Sequence, residues 1–225
     1  MITEAINSIL KKTINKKIII KNINEKYFWA GLRYKEIKRI IQYDCFLKTN
    51  SLKGSIVELG VASGETLVFW GQLNDSFGNK KKIFAYDTFE GFPKGTIHDG
   101  AFNHKKKNSY KYYTIDFVKD KLNKYNINTD YIKLIKGHVP ESLKSNHVDK
   151  VSLVNLDFDI YEPISESLNF FYPRLENGGI ILLDEYDFHD EAIKWPGAKK
   201  SIDKFCMEND IKLKTHFTGR KYIQK

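Results

Sequence analysis

Cysteine is nearly missing from this sequence: Cys45 and Cys206 are the only two in 225 residues. Two such residues build no disulfide framework, and they lack metal-ligand spacing, so a reduced, cytoplasmic setting is expected. Long apolar runs are missing too. The longest, such as Gly179 to Leu183, are far shorter than the roughly 20 residues of a membrane span. No transmembrane segment is therefore expected, and the opening Met1-Ile2-Thr3-Glu4-Ala5 does not start a secretory signal. Arginine is scarce: Arg33, Arg39, Arg174 and Arg220 are the only four among 37 basic residues. Readers of nucleic acid draw on the planar arginine fork, so the net charge of +9 reads as a lysine bias and no nucleic-acid partner is expected. A basic surface that attracts a phosphorylated or nucleotide-linked substrate is the other reading of that charge. No internal repeat and no Gly/Ser linker divides the chain.

What is present is a rhythm. Residues 1–50 read as an N-terminal helical extension and 51–225 as one α/β domain. The Lys11–Lys21 stretch around Ile18-Ile19-Ile20 suits a frayed amphipathic helix, a membrane-surface helix or a dimer contact, so a homo-oligomer through the extension is an open expectation. From there strand-like runs alternate with helical ones. Strands are expected at Ser55–Leu59, Lys82–Asp87, Tyr131–Ile135, Val151–Leu156 and Ile180–Leu183, with a closing hairpin of Lys212–Phe217 and Lys221–Gln224. Helices are expected at Thr66–Leu73, Phe117–Tyr125, Ser165–Leu175 and Gly197–Glu208. This alternation predicts a Rossmann-like, doubly wound α/β fold. Its seven-stranded sheet is mostly parallel, with helices on both faces and a C-terminal antiparallel hairpin.

Ligands of such sheets bind beyond the carboxyl ends of the strands. Polar punctuation falls at those ends: Glu58 and Gly60, Asp87, Gly137 and His138, Asp157, and Asp184. The first βα loop, Glu58-Leu59-Gly60-Val61-Ala62-Ser63-Gly64, differs from the G-x-G-x-x-G that seats a pyrophosphate. A strand-ending carboxylate suits a cationic amino-acid tail better, and S-adenosylmethionine carries an ammonium and a sulfonium but no phosphate. Glu58, Gly60, Ala62, Ser63 and Gly64 are thus assigned to that cofactor. Asp87, followed by Thr88 and Phe89, sits where a carboxylate meets ribose hydroxyls, although an Asp capping a surface turn would look the same. Gly137 and His138 end the third strand near the expected adenine edge.

Asp157, Asp184 and Glu185 follow two strands that neighbour each other in a parallel sheet. Three convergent carboxylates repel one another unless a cation joins them, and an all-oxygen set suits Mg²⁺. Such an ion lowers the pKa of an acceptor hydroxyl and orients it. Helix capping or lysine pairing is the plainer reading of these acids.

At these residues the chain resembles the macrocin O-methyltransferase (TylF/MycF-type) family. The resemblance runs roughly from Gly54 to Glu208 through Val57-Glu58-Leu59-Gly60-Val61, Asp87-Thr88-Phe89-Glu90-Gly91-Phe92-Pro93, Leu156-Asp157-Phe158-Asp159, Tyr172-Pro173-Arg174-Leu175 and Asp184-Glu185-Tyr186. It implies a class I S-adenosylmethionine-dependent sugar O-methyltransferase, with Asp157 as metal ligand and general base and with Asp184 and Glu185 completing a Mg²⁺ site. Two departures stand out. The family usually has Asp-Asp where this chain has Asp184-Glu185, and Trp-Arg-Gly-Gly where it has Val61-Ala62-Ser63-Gly64.

The acceptor side is expected in the Pro93–Tyr113 insert and in the His189 to Gly197 stretch. The insert carries Lys105-Lys106-Lys107, Tyr110, Tyr112 and Tyr113. Aromatic faces and lysines there suit a sugar or nucleotide-sugar acceptor, such as a polysaccharide or natural-product precursor. His189 is the reserve general base. Two rival readings remain: a metal-dependent glycosyltransferase using Asp157-Phe158-Asp159 as a DxD triplet, and a non-catalytic cofactor-binding module.

Overall fold

The computed structural model describes residues 34–100, 109–146, 148–186 and 191–225. Expectations placed on residues 1–33, on Lys105-Lys106-Lys107 and on His189 lie outside the described residues. Seven strands form one sheet: β1 Ser55–Leu59, β2 Ile83–Asp87, β3 Ile132–Lys136, β4 Val151–Leu156, β5 Leu175–Leu183, β6 Lys214–Thr215 and β7 Lys221–Gln224. Their spatial order is β3-β2-β1-β4-β5-β7-β6. The first five are parallel, while β7 pairs antiparallel with both β5 and β6.

Among the described residues, seven helices accompany the sheet: α1 Tyr34–Thr49, α2 Glu65–Ser76, α3 Ile115–Lys124, α4 Glu141–Lys144, α5 Tyr161–Phe171, α6 Glu191–Lys194 and α7 Pro196–Glu208. Two hydrophobic cores show how they divide. Ile41, Cys45 and Phe46 of α1, Leu67 and Trp70 of α2, and Val118 and Leu122 of α3 pack with Ile56, Leu153 and Leu182 on one face of the sheet. Ile164, Leu168 and Phe171 of α5 and Ala198, Ile202 and Phe205 of α7 pack with Val57, Leu59, Val154 and Leu156 on the other. Alternate residues of β1 and β4 thus serve opposite cores, as the pleat requires. The expected boundary at residue 50 falls at the end of α1, which shares the first of these cores.

Where boundaries differ from the sequence reading, the cause is long-range. The expected helix Ser165–Leu175 starts four residues earlier, at Tyr161, and ends at Phe171. Its first amide is capped by Asp99, whose Oδ1 accepts from Tyr161 N at 2.7 Å. Pro163 is tolerated because it lies in the first turn, where no intrahelical donor is needed. Strand β5 is also longer than expected and runs through Asn177-Gly178-Gly179. Gly178 has φ +83° and donates its N–H to Lys225 O, while the pairing with β4 shifts register between Val151 and Leu153. The glycines therefore form an irregularity inside a strand instead of ending a helix. The first hairpin strand shrinks to Lys214–Thr215.

Candidate active site

Strand order reverses between β1 and β4, and the loops that leave these two strands face each other there. Asp157 N donates to Leu59 O at 2.9 Å, carrying the ladder one residue past the strands. Gly60 then turns away at φ +90°, and a Cβ built on it would lie 1.9 Å from Asp157 O. Only glycine fits a backbone this close with that dihedral. The remaining loop is fixed by Asp87 at the end of β2. Its Oδ2 accepts from Val61 N at 2.8 Å and Ala62 N at 2.9 Å, and its Oδ1 accepts from Phe89 N at 2.9 Å. Gly64, at φ +74°, ends the loop as the N-cap of α2.

A cleft of about 360 Å³ opens over this junction. It is lined by Gly60, Ala62, Asp87, Thr88, Gly137, His138 and Asp157. The lining also includes Phe92, Lys94, Tyr110, Tyr113 and Trp195. Phe92 and Trp195 rings pack 5.6 Å apart, and the segment leading from Lys94 to Gly100 is held by Asp99. That buried carboxylate accepts from Thr96 N and Thr96 Oγ1 as well as from Tyr161 N, and it lies so close to Gly197 that any side chain there would overlap it. Asp99 therefore joins the insert to the starts of α5 and α7.

Glu58 is placed elsewhere. The pleat that sends Val57 and Leu59 into one core sends Glu58 into the other, where it is fully buried. Trp70 Nε1 donates to its Oε2 at 2.7 Å and Asn155 Nδ2 to its Oε1 at 3.2 Å. Gln42 Nε2 donates in turn to Asn155 Oδ1, and Arg39 to Gln42 Oε1. Burial pushes the Glu58 carboxyl up to about 8, against the opposing pull of the Trp70 N–H. Its carboxylate ties β1, β4, α1 and α2 together beneath the loop and does not line the cleft. Ser63 and Phe89 likewise belong to the loop and the core, with Phe89 buried against Val61 and its neighbours.

Beyond Asp157 lies the acidic trio. Asp157, Asp184 and Glu185 each present an oxygen within 4.8 Å of the others. Glu185 is buried and, among the described residues, takes no hydrogen bond from a donor; its carboxyl faces that of Asp157. Burial, then the charges of Asp157, Asp159 and Asp184, push Glu185 well up from the usual carboxylate range. Burial and Asp184 also raise Asp157, while Lys38 pulls it back. Among the described residues, Lys38 and Arg220 form ion pairs with this cluster. Lys38 Nζ of α1 lies 2.5 Å from Asp157 Oδ2 and 3.1 Å from Asp184 Oδ1. Arg220 Nη1 donates to Asp184 Oδ1 at 2.8 Å and to its carbonyl at 3.3 Å. Neither was legible as a site residue, but each leaves a trace. Lys38 and Gln42 sit four apart beside the buried Ile41 of α1, and Arg220 is one of four arginines in a Thr-Gly-Arg turn.

A five-strand parallel sheet in this order, extended by an antiparallel edge pair and with its cleft over β1 and β4, is the class I Rossmann-like methyltransferase fold. The chain belongs to the macrocin-O-methyltransferase family, whose model matches residues 33–216. Demethyldecarbamoylnovobiocin O-methyltransferase of Streptomyces niveus is 23% identical over 167 residues, covering 72% of this chain and 62% of that protein. Mycinamicin III 3''-O-methyltransferase of Micromonospora griseorubida is 22% identical over 145 residues, 61% of this chain and 57% of that protein. The chain thus matches little more than half the length of these relatives. Among solved structures, the O-methyltransferase NovP superposes with a TM-score of 0.71 at 21% identity, over 85% of this chain and 79% of that one. The calicheamicin methyltransferase CalS11 gives 0.66 at 24% identity, over 86% and 80%. No helix among the described residues is long and apolar enough to cross a membrane.

Proposed function

We propose that this chain transfers a methyl group from S-adenosylmethionine to a hydroxyl of a sugar, either nucleotide-linked or part of a polysaccharide or natural-product precursor. The observation that carries this reading is the single cleft shared by the Gly60–Ala62 loop, Asp87 and Asp157. S-adenosylmethionine supplies an electrophilic methyl group. The chain's own residues bind, orient and deprotonate. The glycine loop lets a ligand approach the backbone, and Asp87, already held by three backbone N–H groups, would offer a fixed carboxylate edge to ribose hydroxyls. His138 and Gly137, which line the same cleft, would border the base. Tyr110, Tyr113 and Trp195 offer apolar faces to a sugar ring, and Lys94 offers a charge to a phosphate.

Asp157 Oδ accepts the proton of the attacking hydroxyl as general base. Asp157, Asp184 and Glu185 fit a divalent cation: the donors are all oxygen, and Glu185 is buried without a donor. Mg²⁺ held there supplies Lewis acidity that lowers the pKa of an acceptor hydroxyl. His189 lies outside the described residues and stays the reserve base.

The test is calorimetric titration of the purified chain with S-adenosylhomocysteine, with and without Mg²⁺, followed by transfer assays on nucleotide sugars. Micromolar binding and turnover are expected. Binding without turnover on any acceptor supports a cofactor-binding module instead. Absence of binding in both conditions overturns the reading, and preferential binding of UDP or dTDP revives the DxD glycosyltransferase.

A further inference from the structure

The two cations at the acidic trio are not equivalent. Arg220 is buried to 2% exposure and holds the Asp184 carbonyl and carboxylate together, so it serves as a strut between β5 and the turn before β7. Lys38 bridges carboxylates from two different strands, Asp157 after β4 and Asp184 after β5, through one ammonium group. It reaches them from α1 on a flexible four-carbon stem. A divalent ion bound by the same three carboxylates would share Asp157 and Asp184 with that ammonium. Two cations sharing oxygens at such distances repel strongly in a buried setting. Glu185 shows that the ammonium does not satisfy the whole trio, since its carboxyl is buried and takes no donor.

We infer that Lys38 is the resident cation of the Asp157–Asp184–Glu185 site, and that a divalent ion enters only as the Lys38 ammonium withdraws. The inference rests on the reading of the trio as a metal site. Helix α1 then controls metal occupancy, and the site holds a positive charge whether or not metal is bound. Without metal, Lys38 offsets the mutual repulsion of Asp157 and Asp184.

The experiment uses the whole chain and metal alone. Amine acetylation by acetic anhydride is followed residue by residue by mass spectrometry, with and without saturating Mg²⁺. Lys38, only 14% exposed when seated, should react slowly without metal and several-fold faster with it. Lys35, on the same helix and 78% exposed, should react equally in both. In parallel, Mn²⁺ binding is measured by calorimetry for the wild type and for Lys38→Met, with about tenfold tighter binding expected in the variant. If Mn²⁺ binds but Lys38 reactivity does not change, or if Lys38→Met binds Mn²⁺ no more tightly, the exchange is overturned while the metal site stands. If no metal binds either protein, the metal site fails and the exchange falls with it; S-adenosylhomocysteine binding still tests the cofactor reading separately. Should Lys38→Met not fold, the wild-type acetylation pattern decides alone.

Discussion

The two halves of the site are built by opposite means. On the β1–β2 side, the carboxylate of Asp87 is satisfied by three backbone N–H groups, and the loop it holds is shaped by glycine. On the β4–β5 side, three carboxylates crowd together and are answered by side chains, Lys38 and Arg220, with Glu185 given no donor. The first half is rigid because backbone amides cannot leave. The second is adjustable because its counter-charge sits on a long side chain. Under the proposed function, the fixed half would face the cofactor and the adjustable half the acceptor.

The comparison breaks most sharply at Asp157. Asp157→Asn should lower methyl transfer by about 10³-fold while S-adenosylhomocysteine affinity stays within about twofold, read by single-turnover kinetics and calorimetry. Comparable losses in both would place Asp157 in the rigid half. Gly60→Ala should strike both halves together, since the new Cβ meets Asp157 O in a left-handed backbone. Cofactor affinity should fall by more than about tenfold and stability by about 1–3 kcal/mol, read by calorimetry and urea unfolding.

Removing Glu58 tests the scaffold beneath both. Glu58→Ala strands the Trp70 and Asn155 N–H groups and should cost about 2–3 kcal/mol in urea unfolding. Its titration sharpens the point. With the folded carboxyl raised from 4.5 to about 8, the proton favours the folded state. That contribution is complete below pH 4.5 and is lost as pH rises through 8. The wild type should therefore lose stability between those limits, and Glu58→Gln should flatten the slope. The smallest effect is expected at the acceptor wall. Asp99→Ala should cost about 1 kcal/mol as a lost helix cap and raise the acceptor KM with cofactor affinity unchanged.

Much of this was legible in the sequence, and the exceptions share a cause. The five parallel strands and the acids at their ends follow from residue periodicity, and Gly60, Asp87 and Asp157 meet where the strand order reverses. Glu58 ends a strand beside the glycine loop, which points it to the cofactor, yet period-two alternation with Val57 and Leu59 sends it to the opposite core. Lys38, 119 residues from Asp157, and Asp99, 62 from Tyr161, act through contacts that no local pattern encodes. The start of α5 escapes a local pattern for the same reason: its cap comes from another part of the chain.

The Asp99 contact also turns one backbone amide into a clock. Tyr161 N–H has its hydrogen bond only while the segment around Asp99 is seated, since the first amides of a helix have no partner of their own. Its hydrogen-exchange rate therefore counts the openings of the acceptor wall, separately from the unfolding of the sheet that supports it.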